Sequence, residues 1–219
     1  MSVAIENFVK AIYQNRMNEA LDTKPSTIAK KLRISSAAAT DMAKKLATKG
    51  LLDYEKYQEL KLTEEGNTMA LKVIRKHRIW ESFLFKLLDL SLHEIHREAE
   101  FLEHETSDFL ADKIHEYLGF PDFDPHGDPI PNSQGKLPII KDMTLLVDAK
   151  EGTDYQIARL NSDDEEFFDF CTANGLINGS KLQVEKQFEN TGMTQIKINN
   201  AVLVLHKQFT AQIQLINAK

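Results

Sequence analysis

From Val3 to Tyr13 the apolar residues Ile5, Phe8, Val9, Ile12 and Tyr13 recur at three- and four-residue spacing, which predicts an amphipathic first helix. Pro25 opens a second helix of about two turns, with Ile28, Ala29 and Leu32 on one face, and Arg33 and Ile34 break it. Ser35 or Ser36 caps a third helix whose inward stripe is Ala39, Met42, Ala43 and Leu46, and Gly50 supplies its stop. Short helix, tight turn and longer helix outline a helix-turn-helix. Leu51–Tyr54 and Leu60–Thr63 then read as two short strands around a polar loop, a wing. A long helical pattern follows from Thr63 to Leu90, and the capping box Ser91-x-x-Glu94 starts a further helix expected to run to about Leu118, ended by Gly119. Residues 121–138 hold five of the six prolines and read as a linker without regular structure. Beyond it, β-rich runs at Asp154–Leu160, Lys181–Phe188, Thr194–Ile198, Ala201–Leu205 and Gln212–Ile216 surround one helical patch, Asp163–Asn174, and predict a small barrel.

The expected fold is therefore α+β in three domains and a linker: a winged helix at 1–65, a helical domain at 66–120, a Pro-rich linker at 121–140 and a small β domain at 141–219. With 219 residues, 42% hydrophobic and 27% charged, the composition is that of a folded globular chain and excludes a fibrous or largely disordered one. No apolar run approaches the ~20 residues of a membrane span, and the N-terminal residues have no export pattern. The single cysteine, Cys171, allows no internal disulfide, so the expected location is the cytoplasm.

The net charge of −6 argues against a nucleic-acid partner until it is divided along the chain. Residues 1–65 carry 11 basic against 9 acidic side chains, residues 66–120 carry 7 against 10, and residues 121–219 carry 9 against 14. Only the winged-helix third is positive, with its lysines and arginine bunched at Lys30-Lys31-Arg33 and Lys44-Lys45-Lys49. The third helix is lined by the small residues Ala37 and Ala38, which let it lie deep in a major groove. Ser35, Ser36, Thr40 and Asp41 are then placed to reach phosphates or base edges, with Lys44 and Lys45 nearby. The plainer alternative is that these alanines are ordinary helix-favouring packing residues.

His96, Glu100, Glu103 and His104 stand at i, i+4, i+7 and i+8, which aligns four potential metal ligands on one helical face. His77 and Glu81 form another i, i+4 pair on the preceding helix, and antiparallel packing would bring the two sets together. Mixed imidazole and carboxylate donors suit divalent transition metals, and the carboxylates offset the charge that imidazole leaves uncompensated. A solvated, salt-bridged helix face would use the same residue types.

Taken together, Arg75-Lys76-His77-Arg78, the run His96 to His104, and Asp124-Pro125-His126-Gly127-Asp128-Pro129-Ile130-Pro131 resemble the diphtheria toxin repressor family over nearly the whole chain. That family includes iron-dependent repressors and manganese transport regulators. The resemblance implies a winged helix, a helical dimerisation and metal-binding domain and a C-terminal SH3-like barrel, acting as a metal-activated dimeric repressor. It also implies His77, Glu81 and His96 as ligands of one site, and Glu100, Glu103 and His104 as ligands of a second. At Glu100 iron-type members place a sulfur residue and manganese-type members a carboxylate, so Mn²⁺ is favoured over Fe²⁺. Asp164 is a further ligand candidate from the third domain. The chain departs from the family on its first helix, where Asn7 replaces a Met or Asp ligand and Lys10 replaces an acid that some manganese-type members have. Asn7 can still coordinate through its amide oxygen.

The expected partners are thus double-stranded DNA with an inverted-repeat operator and a second copy of the chain, with no membrane and with metal as a corepressor. A metal-dependent hydrolase would use similar donors but lacks the His-Glu-x-x-His pattern and leaves the helix-turn-helix unexplained. A winged-helix regulator answering to an organic ligand is the other alternative.

Overall fold

The computed structural model describes residues 2–18, 20–139, 142–162 and 164–218. Helices α1 (Val3–Met17), α2 (Pro25–Lys31) and α3 (Ser36–Thr48) enclose a core in which Phe8, Ile12, Ile28, Ala39, Ala43 and Leu46 are buried. Each large side chain so buried contributes about 1.5–3 kcal/mol. Arg33, in the turn between α2 and α3, has φ of +54°, so the tight turn is made by a left-handed residue. Strands β1 (Leu52–Asp53) and β2 (Lys61–Leu62) pair antiparallel and form the wing.

Thr63 caps α4 (Glu64–Leu88) by accepting from the Gly66 N–H at 3.1 Å. A Cβ at Gly66 would lie 2.0 Å from the Leu51 carbonyl oxygen, so only glycine lets the start of α4 seat against the wing. Asp89, left-handed at φ +53°, ends α4, and the Ser91–Glu94 capping box opens α5 (Leu92–Glu105).

The single helix expected to Leu118 is in fact two, because the chain leaves the helical conformation at Thr106 and restarts as α6 (Asp108–Tyr117). The Thr106 hydroxyl donates back to the Leu102 carbonyl at 2.6 Å and accepts from the Trp80 indole N–H at 2.7 Å. Ser107 then caps α6 by accepting from the Leu110 N–H. Side-chain hydroxyls competing for backbone groups make the break.

Residues 121–138 contain neither helix nor strand, as expected, apart from one bridge between Phe123 and Pro129. They are packed rather than slack: Asp124, His126 and Ile130 are buried. Arg78 of α4 donates to the Pro129 carbonyl and lies 3.7 Å from Asp124 and 3.6 Å from Asp128. Arg159 holds Asp128 from the other side at 2.6 Å. Gly127, at φ +93°, runs so close to the third part that a Cβ would be 1.9 Å from the Ala158 oxygen. The segment is a strap that ties α4 to the β domain.

That domain is one antiparallel sheet in the order β3-β8-β4-β5-β6-β7, from β3 (Thr144–Leu145), β4 (Thr153–Leu160), β5 (Lys181–Phe188), β6 (Met193–Ile198), β7 (Ala201–His206) and β8 (Ile213–Asn217). Register shifts at Ile157/Arg159 and Val184/Lys186 bend it, as bulges do. Helix α7 (Glu165–Ala173) covers it, and the short α8 (Lys207–Thr210) joins β7 to β8. Asp163, the expected start of α7, lies outside the described residues, as does the expected boundary at 140–141. Phe167, Phe168 and Cys171 of α7 share one core with Leu84, Leu92 and Ile95, so the α4–α5 pair is gripped by the winged helix at one end and the β domain at the other. Among the described residues, no helix is long and apolar enough to cross a membrane.

Candidate metal centre

Apolar residues of α4 and α5, Ile74, Ile79, Ile95 and Ala99, are buried, and the polar residues interspersed with them are drawn into the seam. His77 meets Glu103 while Glu81 meets His96, so the two helices run antiparallel. His77 is the hub. Its Nε2 lies 2.9 Å from Glu81 Oε1 and 3.2 Å from His96 Nδ1, and its Nδ1 lies 2.7 Å from Glu103 Oε2. Glu81 Oε1 is also 3.0 Å from His96 Nδ1. The donor atoms of His77, Glu81 and His96 fall within 4.8 Å of one another, and so do those of His77, Glu100 and Glu103. His77, Glu81 and Glu103 are buried, whereas the His96 side chain is 57% exposed, which leaves the group an opening to solvent.

Helix α1 supplies the other wall. Lys10 is buried, and its Nζ donates to Glu103 Oε2 at 2.6 Å and to Glu100 Oε1 at 2.8 Å, with His77 Nδ1 at 3.3 Å. Glu6, one turn away, lies 2.6 Å from His104 Nδ1. Among the described residues, Glu100, Glu103 and His104 do not have donor atoms all within 4.8 Å of one another. His104 Nε2 is 3.3 Å from Glu103 Oε1, without hydrogen-bond geometry between them. Asn7 shares the face of α1 that carries Lys10 at i+3, and its Oδ1 is buried without a hydrogen-bond partner.

A third group forms where the strap meets α4: Glu81, Asp124 and His126, all buried, have donor atoms within 4.8 Å of one another. Sequence spacing could not bring these residues together, because Asp124 and His126 come from a segment with no helical period. The signal available was the run Asp124 to Pro131 itself. Asp164, by contrast, is exposed, caps α7 by accepting from the Glu166 N–H at 3.0 Å, and makes no ion pair with any of these groups.

The charges respond accordingly. Burial, and to a lesser extent the Lys10 ammonium, pull the His77 imidazole down, but Glu81 and the hydrogen bonds to Glu103 and Glu81 outweigh them and raise its pKa to about 9. Burial works against the Glu81 carboxylate, yet His77, with hydrogen bonds from His77 and His96, holds it well below the usual range. Glu100 is likewise lowered, against burial, by Lys10 and His77. Asp124 goes the other way: burial, with Glu81 and Asp128 beside it, pushes it well above the usual carboxylate range despite Arg78. His126 is lowered, chiefly by burial.

The residues fit a divalent cation. Asn7 Oδ1, Glu103 Oε1, His104 Nε2 and Asp124 Oδ2 are buried atoms without hydrogen-bond partners, and such atoms are costly unless something else satisfies them. Three are oxygens and one is an imidazole nitrogen, a set that suits a hard or borderline metal.

At the other end of the molecule, Ser35, Ser36, Ala37, Ala38, Asp41, Lys44 and Lys45 are all exposed on α3, with Thr40 half-buried between them. Ser35 is committed to capping, accepting from the Ala38 N–H at 3.1 Å, and Thr40 donates to the Ser36 carbonyl at 2.8 Å. Lys30, Arg33 and Lys49 are exposed beside this face.

Residues 1–60 match the N-terminal DNA binding domain of the iron dependent repressors, residues 63–132 their metal binding and dimerisation domain, and residues 144–216 the FeoA domain. A solved manganese-dependent transcriptional repressor in complex with manganese is 30% identical and superposes with a TM-score of 0.83 over 98% of this chain and 100% of that one. The chain belongs to the diphtheria toxin repressor family. Within that family, the diphtheria toxin repressor of Corynebacterium efficiens is 26% identical over 188 residues, 82% of this chain and 81% of that protein. A probable metal transport system membrane protein of Chlamydia trachomatis serovar D is 40% identical over 91 residues, 42% of this chain, and the match spans only 20% of that longer protein. The α+β architecture of the family, with its DNA-binding, helical and FeoA parts, is the one found here, and its members are metal-dependent transcriptional repressors.

Proposed function

We propose that this protein is a homodimeric repressor of metal-homeostasis genes whose corepressor is Mn²⁺, with Fe²⁺ as the second choice. The observation that carries the reading is the seam where α1 of the winged helix meets α4 and α5: two triads of imidazole and carboxylate donors, bordered by the uncommitted Asn7, Glu103 and His104 atoms. A bound divalent cation would satisfy the Asn7, Glu103 and His104 atoms that have no hydrogen-bond partner. His77, Glu81 and His96 would hold one ion, and Asn7, Glu103 and His104, with Glu100 at the edge, a second. Glu81, Asp124 and His126 are a further donor set within reach of the first. Asp164 is given no role as a ligand.

Asn7 sits on the helix that buttresses α3, so seating Asn7 against α5 fixes the angle of the recognition helix relative to the dimer axis. The division of labour follows: residues 1–65 read DNA, 66–120 hold metal and dimerise, and 141–219 brace the pair through the strap. The exposed Phe101, Phe109, Leu110 and Tyr117 on α5 and α6 form the apolar face that we assign to the partner copy. Two copies then present two α3 helices to successive major grooves, so the operator is an approximate inverted repeat. Such a protein works in the cytoplasm, and no residue is given a catalytic role.

The test is DNA retention by the purified protein in Mn²⁺ and in chelator. Affinity is expected to fall at least about tenfold on metal removal, a coupling in the ordinary allosteric range. Equal affinity in both conditions overturns the reading. Lys44→Ala is expected to weaken binding alike on all sequences and to reduce the salt dependence by about one counterion per copy.

A further inference from the structure

We propose that Lys10 is a built-in cation: its ammonium holds the position that His77, Glu100 and Glu103 would otherwise offer to a divalent ion, so that this triad takes no metal while its neighbours do. The inference rests on the metal-switch reading above and narrows it to which donors are open.

The geometry is that of a filled cation position. The donor atoms of the three residues lie within 4.8 Å of one another, and Lys10 Nζ is 2.6, 2.8 and 3.3 Å from Glu103, Glu100 and His77. An ion placed among the same atoms would need the same carboxylate lone pairs and would stand against the Lys10 charge in a medium that screens poorly. Lys10 cannot swing out of the way cheaply. It is only 4% exposed and lies on a face of α1 flanked by Glu6 and Asn7, which themselves face the seam.

Glu103 divides its two oxygens as a result. Oε2 is taken by Lys10 and His77, whereas Oε1 has no hydrogen-bond partner and faces His104 Nε2 at 3.3 Å. Lys10 thus acts as a positioning residue, turning the free oxygen of Glu103 towards the donors that remain open. It also docks α1 on α5 by ion pairs that persist whether or not metal is present, so the metal-free protein keeps part of the contact that metal would reinforce.

Manganese stoichiometry of the full-length protein tests this, measured by calorimetry and elemental analysis for wild type, Lys10→Met, Lys10→Glu and Lys10→Arg. Lys10→Met and Lys10→Glu are expected to bind one Mn²⁺ more per chain, with a spin-coupled pair visible by electron paramagnetic resonance, and Lys10→Arg to keep the wild-type count. Lys10→Met should melt lower in chelator and recover with Mn²⁺ by more than wild type gains. Should Lys10→Met and Lys10→Glu not fold, anomalous diffraction from Mn²⁺-loaded wild type decides: no peak among His77, Glu100 and Glu103, with Lys10 in place, supports the proposal. A peak there, or an unchanged count in folded Lys10→Met and Lys10→Glu, overturns it. Wild type that takes up no Mn²⁺ and retains DNA equally in chelator overturns the metal switch itself, a separate outcome.

Discussion

Two acid–imidazole groups meet at α4, one through His77 and the other through Glu81, and they differ in how their acids are compensated. Around Glu100 and Glu103 the chain supplies its own positive charge: Lys10 is bonded to both carboxylates. At Asp124, in the group with Glu81 and His126, no cation among the described residues is bonded so closely. There the strap brings Asp124 up against Glu81 and Asp128, the nearest guanidinium nitrogen is 3.7 Å away, and Asp124 Oδ2 is left without a hydrogen bond. One group is balanced internally, and the other holds acids that repel one another and that a cation from outside would stabilise. Buried carboxylates of the same type can therefore be part of the scaffold or part of a receptor, depending on whether the fold has placed a cation beside them.

Glu103→Ala should have the largest effect on this contrast. It strips the Lys10 ammonium of its shortest partner and the His77 Nδ1–H of its acceptor, leaving buried charge unpaired. Removing one member of a buried pair costs about 3–5 kcal/mol. The variant is expected to melt well below wild type even in chelator, read by thermal denaturation, besides losing metal affinity. A loss under about 1 kcal/mol would mean that the first group is not a structural ion cluster.

How much of this was legible beforehand depended on the period of the element. The i, i+4 spacing of His77 and Glu81, and of His96 and Glu100, survives folding because a helix converts spacing into a face, and the antiparallel seam brought both faces together. The wing, the recognition helix and five of the strands could be read for the same reason. The break at Thr106–Ser107 could not, because the apolar pattern continues through it and the cause is a hydroxyl meeting Trp80 from another helix. Glu6, Asp124 and His126 escaped notice as site residues because α1 and the strap reach α4 only through tertiary packing. Lys10 was visible only as a departure from an acid. Its meaning came from distances that no spacing encodes.

Glu81→Gln probes the residue that links the two groups, a member of the second that touches His77 of the first. Its Oε1 lies 2.9 Å from His77, 3.0 Å from His96 and 3.7 Å from His126. Losing that charge should weaken Mn²⁺ binding at least about tenfold, the lower end of what even an outer-shell partner contributes. Stability should fall by about 1.5–3 kcal/mol, one charge-assisted hydrogen bond, which is less than for Glu103→Ala. Titration calorimetry and melting in chelator separate the two. If metal affinity holds while stability falls, Glu81 belongs with the internally balanced group and the two groups no longer differ.

Asp124→Asn should change stability least, and its sign is what matters. The asparagine oxygen can keep accepting the His126 and Asp128 backbone N–H groups, each at 2.9 Å, while the negative charge beside Glu81 and Asp128 is gone. In chelator the variant is expected to melt at or slightly above the wild-type temperature, within about 1 kcal/mol, as for a substitution that creates neither cavity nor orphan charge. With Mn²⁺ present the order should reverse, because wild type gains more from the ion than a neutral amide does. If Asp124→Asn instead loses several kcal/mol in chelator, Arg78 is the partner that Asp124 serves, and the strap is braced by an ion pair rather than holding an uncompensated acid.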